Sequence, residues 1–176
     1  MNRSHVAIAF LFVGVLTVAS SNTLAVDASD ETNIRAVATA YADAWNHHDM
    51  KTLAELFTDD AEWVNIVGMH WRSKANVIKA HDVFHRTIFQ KMEIGVMDLE
   101  IRSIAPDVAT AVIALRAGAF TTPDGKQQNE TLDRLSLILV NRSGAWRIAH
   151  GHNTVVDPTA VPFDPVNSGW TGDGGK

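Results

Sequence analysis

From Ile34 onward the apolar residues recur at the spacing of one helix face: Ile34, Val37, Tyr41, Ala44 and Trp45. That period predicts an amphipathic helix from about Glu31 to His47, with Ser29 or Asp30 as its N-cap. Asn46-His47-His48-Asp49 interrupts the stripe, and Asp49 can cap a short second helix that buries Leu53, Leu56 and Phe57. Asp59-Asp60 reads as an acidic turn. The pattern then changes to period two, placing Trp63, Asn65 and Val67 on one face of a strand and Glu62, Val64 and Ile66 on the other. Gly68 supplies a turn, and Ser73 caps a third helix that runs to about Phe89.

Beyond that helix the chain reads as strands. Met92–Ile104 and Val108–Phe120 are rich in valine and isoleucine and join at Ala105-Pro106-Asp107. Thr122-Pro123-Asp124-Gly125-Lys126 is a turn in which proline presets one dihedral and glycine permits a positive one. Asn129–Val140 then turns at Asn141-Arg142-Ser143-Gly144 into Trp146–Val156. Helices first and a meander afterwards predict an α+β domain, three N-terminal helices packed on one face of a curved antiparallel sheet, over residues 30–156. A Pro/Gly-rich tail, residues 157–176, follows.

The start of the chain has a different plan. Arg3 precedes an uncharged apolar run from Val6 to Val18, and Thr23-Leu24-Ala25 suits a signal peptidase. Residues 1–25 therefore read as a secretory signal peptide, its apolar run too short to span a bilayer. The expected location is periplasmic or secreted, with no membrane attachment once the leader is cleaved. Cysteine is absent, so a core rather than disulfides must hold the domain; 46% hydrophobic residues supply one. The formal net charge is −5, and no basic run or arginine-rich face is present, which argues against nucleic acid as a partner.

Three stretches resemble a known family. They are Tyr41-Ala42-Asp43-Ala44-Trp45-Asn46 with Asp49, Leu56-Phe57 with Asp59-Asp60-Ala61, and Gly68 with His70-Trp71-Arg72-Ser73-Lys74. Together they are similar to the nuclear transport factor 2-like superfamily, and within it to the SnoaL-like and SgcJ/EcaC group. Trp146-Arg147-Ile148-Ala149 followed by His152-Asn153-Thr154 resembles the end of SgcJ/EcaC sequences. The resemblance implies a cone-shaped roll with a pocket between helices and sheet, commonly as a homodimer. SgcJ/EcaC members are labelled oxidoreductases, yet this sequence holds no dinucleotide fingerprint, and no cofactor is expected. Ketosteroid isomerases of the superfamily place a tyrosine on the first helix, a carboxylate base on the first strand and a second carboxyl group on a later strand. Tyr41, Asn65 and Asp133 fall at or near those positions. An amide has no basic lone pair, so Asn65 cannot be the base.

The remaining candidates are histidines and tryptophans. His81 and His85 are four apart on the third helix and can share a face; a functional role is expected for His81 and a structural one for His85. Strict alternation on the last strand groups Trp146, Ile148, His150 and His152, with Ala149, Gly151 and Asn153 opposite. Four histidines raise the alternative of zinc. No glutamate follows the first helical histidine as in HExxH, however, and no metal site is expected. The catalytic set is then Tyr41, Asn65, His81 and His152, with Trp45, Trp63, Asp133 and His150 lining the substrate. Tyr41 and Asn65 would hold an oxygen, and His81 or His152 would move the proton with a limb near neutral pH. The function expected is cofactor-independent acid–base chemistry on a small apolar carbonyl or oxygenated compound. The alternative is a non-catalytic ligand-binding or dimerisation module.

Overall fold

The computed structural model describes residues 27–172, so the signal peptide read from residues 1–25 lies outside the described residues. Helix α1 (Ala28–Asn46) begins earlier than its stripe predicts, because Asp27 is the cap: its carboxylate accepts the Ser29 backbone N–H at 2.8 Å. Asp30 is employed elsewhere, accepting the Trp146 indole N–H at 2.7 Å and tying the start of the helix to the last strand. Asp49 caps α2 (Met50–Glu55) by accepting the N–H groups of Lys51 and Thr52. Ser73 caps α3 (Lys74–Thr87).

Eight strands follow from the alternating stretches: β1 (Phe57–Val64), β2 (His70–Arg72), β3 (Ile94–Ala105), β4 (Val108–Ala117), β5 (Phe120–Thr121), β6 (Gln127–Gln128), β7 (Thr131–Arg142) and β8 (Ala145–Val155). Six of them form one curved sheet in the order β2-β1-β8-β7-β4-β3. The domain is an α+β roll of helices on such a sheet. The sheet is mixed in one place: β1 lies parallel to β8, and the other neighbours are antiparallel. Asp59 and Asp60 are not a turn. They belong to a bulged part of β1 between Phe57 and Glu62, where Lys74 pairs with Asp59 and Arg142 forks onto Asp60 at 3.1 Å.

The helices cover one face, α1 packing on β3 and β8 and α3 on β1 and β2. Ile34, Leu53, Val77, Ile113, Leu135, Leu137, Leu139 and Ile148 meet there with almost no exposure. A small ribbon of β5 and β6 stands apart from the main sheet, closed by the turn in which Gly125 N–H donates to the Thr122 carbonyl at 2.9 Å.

One glycine sets the floor of the space beneath the helices. Gly151 lies beside Trp63 on the neighbouring parallel strand, and a Cβ there would collide with the six-membered ring of the indole. Trp63 cannot easily give way, being stacked on Tyr41 (5.7 Å between centroids) and edge-on to Phe57 (5.9 Å). Gly151→Ala is therefore expected to destabilise the fold by about 1–3 kcal/mol, as overpacked cores do. Chemical unfolding that moves by less than 0.5 kcal/mol, roughly the limit for surface changes, would contradict this packing.

Candidate active site

A cavity of about 440 Å³ lies between the helices and the inner face of the sheet. Its apolar wall includes Trp45 of α1, Trp63 of β1, Trp71 of β2, Phe84 of α3, Phe89 and Phe120. Its polar groups are few: Asn65, His81, Asp133, Thr131, Asn153 and, toward the ribbon, Gln128 and Asn129. Apolar walls with a few fixed polar groups are the usual composition of a small-molecule site.

His81 projects from α3 and is only 4% exposed. Its Nδ1 lies 2.8 Å from the Val77 carbonyl, which can only accept, so Nδ1 holds the proton and Nε2 presents a lone pair. Nε2 lies 3.5 Å from the Tyr41 hydroxyl. Trp45, Trp63 and Trp71 approach the imidazole edge-on, with centroids 5.3–5.8 Å away. This burial pushes the His81 pKa down to about 4, only partly offset by the bond to Val77. The ring is thus neutral at physiological pH. Burial likewise drives the Tyr41 phenol well above its ordinary value, so Tyr41 acts only as a hydroxyl.

Asn65 sits just past the end of β1. Its side-chain oxygen accepts the backbone N–H groups of Met69 (2.8 Å) and Val67 (3.1 Å), closing a turn that Gly68 completes at φ 81°. With the oxygen committed, the amide nitrogen is fixed in orientation and has no partner among the described residues. Asn65 therefore offers the cavity a donor and nothing else.

Asp133 of β7 is 5% exposed and lines the same cavity. The Thr131 hydroxyl donates to its Oδ1 at 2.9 Å. Burial raises the carboxyl pKa above the ordinary carboxylate value, and the Thr131 bond opposes this without cancelling it. A carboxyl group of this kind, in an apolar site with one oxygen uncommitted, is suited to taking and returning a proton.

The cavity thus brings together Trp45, Trp63, Asn65, His81 and Asp133, with Tyr41 against His81. His150 and His152 are elsewhere. Leu139 is opposite Ile148, but the next pair is Ile138 with His150, so Ala149 is an extra, bulged residue. A bulge shifts every later side chain to the other face. Gly151, Asn153 and Val155 consequently face inward. His150 and His152 face outward, His150 beside Glu62, whose carboxylate accepts from His70 at 3.0 Å. His85 is buried as well, its Nδ1 2.7 Å from that of His48 and its ring 4.4 Å from Trp45. His48, exposed in the turn between α1 and α2, thereby touches α3 through His85. Alternation alone could not locate Asn153 at the site, whereas Thr131, two residues before Asp133 on β7, follows from it.

Among the described residues no group of three or more histidine and acidic side chains is placed to hold a metal ion.

Fold and cavity together define an α+β roll built around an aromatic-walled cavity. The SnoaL-like domain model matches residues 34–158, and the chain belongs to that family. An uncharacterised protein with a cystatin-like fold from Caulobacter vibrioides is 45% identical, with a TM-score of 0.75 over 77% of this chain and 96% of that one. A type 2 hexachlorocyclohexane dehydrochlorinase is 12% identical with a TM-score of 0.66, over 73% of this chain and 86% of that one. A putative scytalone dehydratase from Novosphingobium aromaticivorans is 14% identical with a TM-score of 0.63, over 73% and 85%. At such identities these two structures show the shared fold alone. No curated protein matches the chain.

Proposed function

We propose that this protein is a cofactor-independent enzyme that moves a proton on a small, largely apolar carbonyl compound. The observation that supports it most is Asp133, a buried carboxyl group with a raised pKa that opens into an aromatic cavity and has Thr131 as its hydrogen-bond partner. In the reaction the Asp133 carboxylate takes a proton from the carbon next to the carbonyl. The C–H electron pair becomes a C=C bond and the carbonyl π pair moves to oxygen, where the Asn65 N–H groups stabilise the charge. Asp133 then returns the proton, to the same carbon or to a conjugated one. His81 contributes a neutral acceptor, and the tryptophans exclude water. His152, on the outer face, has no part in it. That dehydrochlorinase and dehydratase enzymes share the fold is in keeping with proton removal in such a cavity.

The test is deuterium uptake. The protein in D₂O is incubated with 1-tetralone, a bicyclic ketone, and uptake beside the carbonyl is followed by mass spectrometry. Exchange well above the buffer rate is expected. Binding of the ketone without exchange would support instead a non-catalytic ligand-binding module.

We also read the outer face of the sheet as the contact for a second copy, since Val112, Leu132 and Ile138 are each 36–40% exposed there among its strands. Exposed apolar side chains gathered on one sheet face favour association. Light scattering at micromolar concentration should return twice the chain mass; a monomer would refute the dimer.

A further inference from the structure

The bulge at Ala149 turns Asn153 toward the cavity. β1 and β8 run parallel with Trp63 beside Gly151 and Val64 beside His152; continuing that register one residue past the end of β1 brings Asn65 level with Asn153. Neighbouring strands are about 4.8 Å apart. Two amides at that separation can both reach one oxygen atom lying between them, each at about 2.9 Å. Both residues line the cavity, and among the described residues neither amide nitrogen has a hydrogen-bond partner, the Asn65 side chain bonding through its oxygen alone. On the far side of Asn153, Asp133 is opposite Val155 while Leu135 is opposite Asn153, which makes Asp133 and Asn153 diagonal neighbours on the inner face. The order across the floor is therefore amide, amide, carboxyl.

We infer that Asn153 is a second oxyanion donor, pairing with Asn65 to cradle a single carbonyl oxygen while Asp133 reaches the adjacent carbon. This rests on the proton-transfer reading above and gives the carbonyl oxygen of that substrate its second donor. The spacing fits that chemistry: one strand step separates the oxygen from the base, and one bond separates a carbonyl carbon from its acidic neighbour. It also assigns the two asparagines different fragility. Replacing Asn65 would break the turn its oxygen holds, whereas Asn153 makes no side-chain bond on which the fold depends.

Binding of 1-tetralone and of tetralin, its parent hydrocarbon, is measured by tryptophan fluorescence in the wild type, Asn153→Ala and Asn153→Leu. Thermal unfolding confirms that both variants fold. The wild type should favour the ketone by roughly tenfold or more, as two neutral hydrogen bonds can provide. Either substitution should reduce that preference about fivefold, as one such bond would, and leave tetralin affinity within a factor of two. The infrared carbonyl stretch of bound ketone should lie at lower wavenumber in the wild type than in either variant, because two donors polarise the bond more than one. An unchanged ketone preference or an unshifted stretch in the variants overturns the inference, as does a wild type with no ketone preference. Ketone preference without deuterium exchange would leave the cradle standing and remove the enzyme; exchange without preference would do the reverse.

Discussion

Replacing Asp133 with asparagine is expected to abolish proton exchange while leaving the fold at least as stable. The amide is nearly isosteric and can still receive the Thr131 hydroxyl bond that now holds Oδ1. It cannot accept a proton from carbon, and loss of a positioned general base costs about 10²–10⁴ in rate. The stability side follows from the direction of the pKa shift. A carboxyl group whose folded pKa is raised prefers to be protonated in the fold, so its ionisation opposes folding once the pH exceeds the folded value. Asp133→Asn removes that opposition. At neutral pH the variant should therefore unfold at the same denaturant concentration as the wild type or a higher one. A variant that keeps more than a tenth of wild-type exchange would show that Asp133 is not the base. Lost exchange with a loss of stability would point to a structural carboxyl group instead.

Acid should unfold the protein earlier than its carboxylates alone would bring about. His81 is neutral in the fold because burial lowers its pKa to about 4, against 6.5 for the unperturbed group. Above pH 6.5 the imidazole is neutral in both states and makes no difference. Below it the unfolded chain takes up the proton first, so stability falls as the pH drops toward 4. The loss from His81 amounts to roughly 3 kcal/mol when complete. His85, its pKa also lowered to about 4 by burial and by His48 and His81, acts in the same direction. The carboxyl of Asp60, held at about 2 by Arg142, titrates below this window. Urea unfolding at a series of pH values should show this slope between pH 6.5 and 4, and a shallower one for His81→Leu. An Asp133→Asn variant, free of the carboxyl whose raised pKa acts in the opposite direction, equally stable at pH 7 and 4.5 would contradict the buried neutral ring. The same shift removes any expectation that His81 gives a rate limb near neutrality.

Much of this could be read along the chain because the signals were local. The helical stripe from Ile34 to Trp45, the cap at Ser73 and the alternation of the long strands each depend on residues a few positions apart. The cavity residues on those elements, Trp45, Trp63, His81 and Asp133, follow from the same periods once helices and sheet are stacked. What escaped depends on pairing between distant strands. Whether His152 or Asn153 faces the cavity is decided by one extra residue, Ala149, which is visible only against the register of β7. Asp59 and Asp60 look like a turn because two adjacent aspartates favour turns. In the fold they are held outward from a bulged strand by Lys74 and Arg142, the latter 82 positions away from Asp60. The commitment of the Asn65 oxygen to its own turn is local in sequence, yet it follows from the conformation of the Ile66–Gly68 loop rather than from residue types.

The most direct test of the whole account is a carbon-13 NMR titration of the Asp133 side-chain carboxyl, assigned by comparison with Asp133→Asn. The account predicts a midpoint above the ordinary aspartate value of about 3.9, coincident with the limb along which deuterium exchange rises, and a response of that signal when 1-tetralone binds. A midpoint at or below the ordinary value, or a carboxyl signal indifferent to bound ketone, would contradict it.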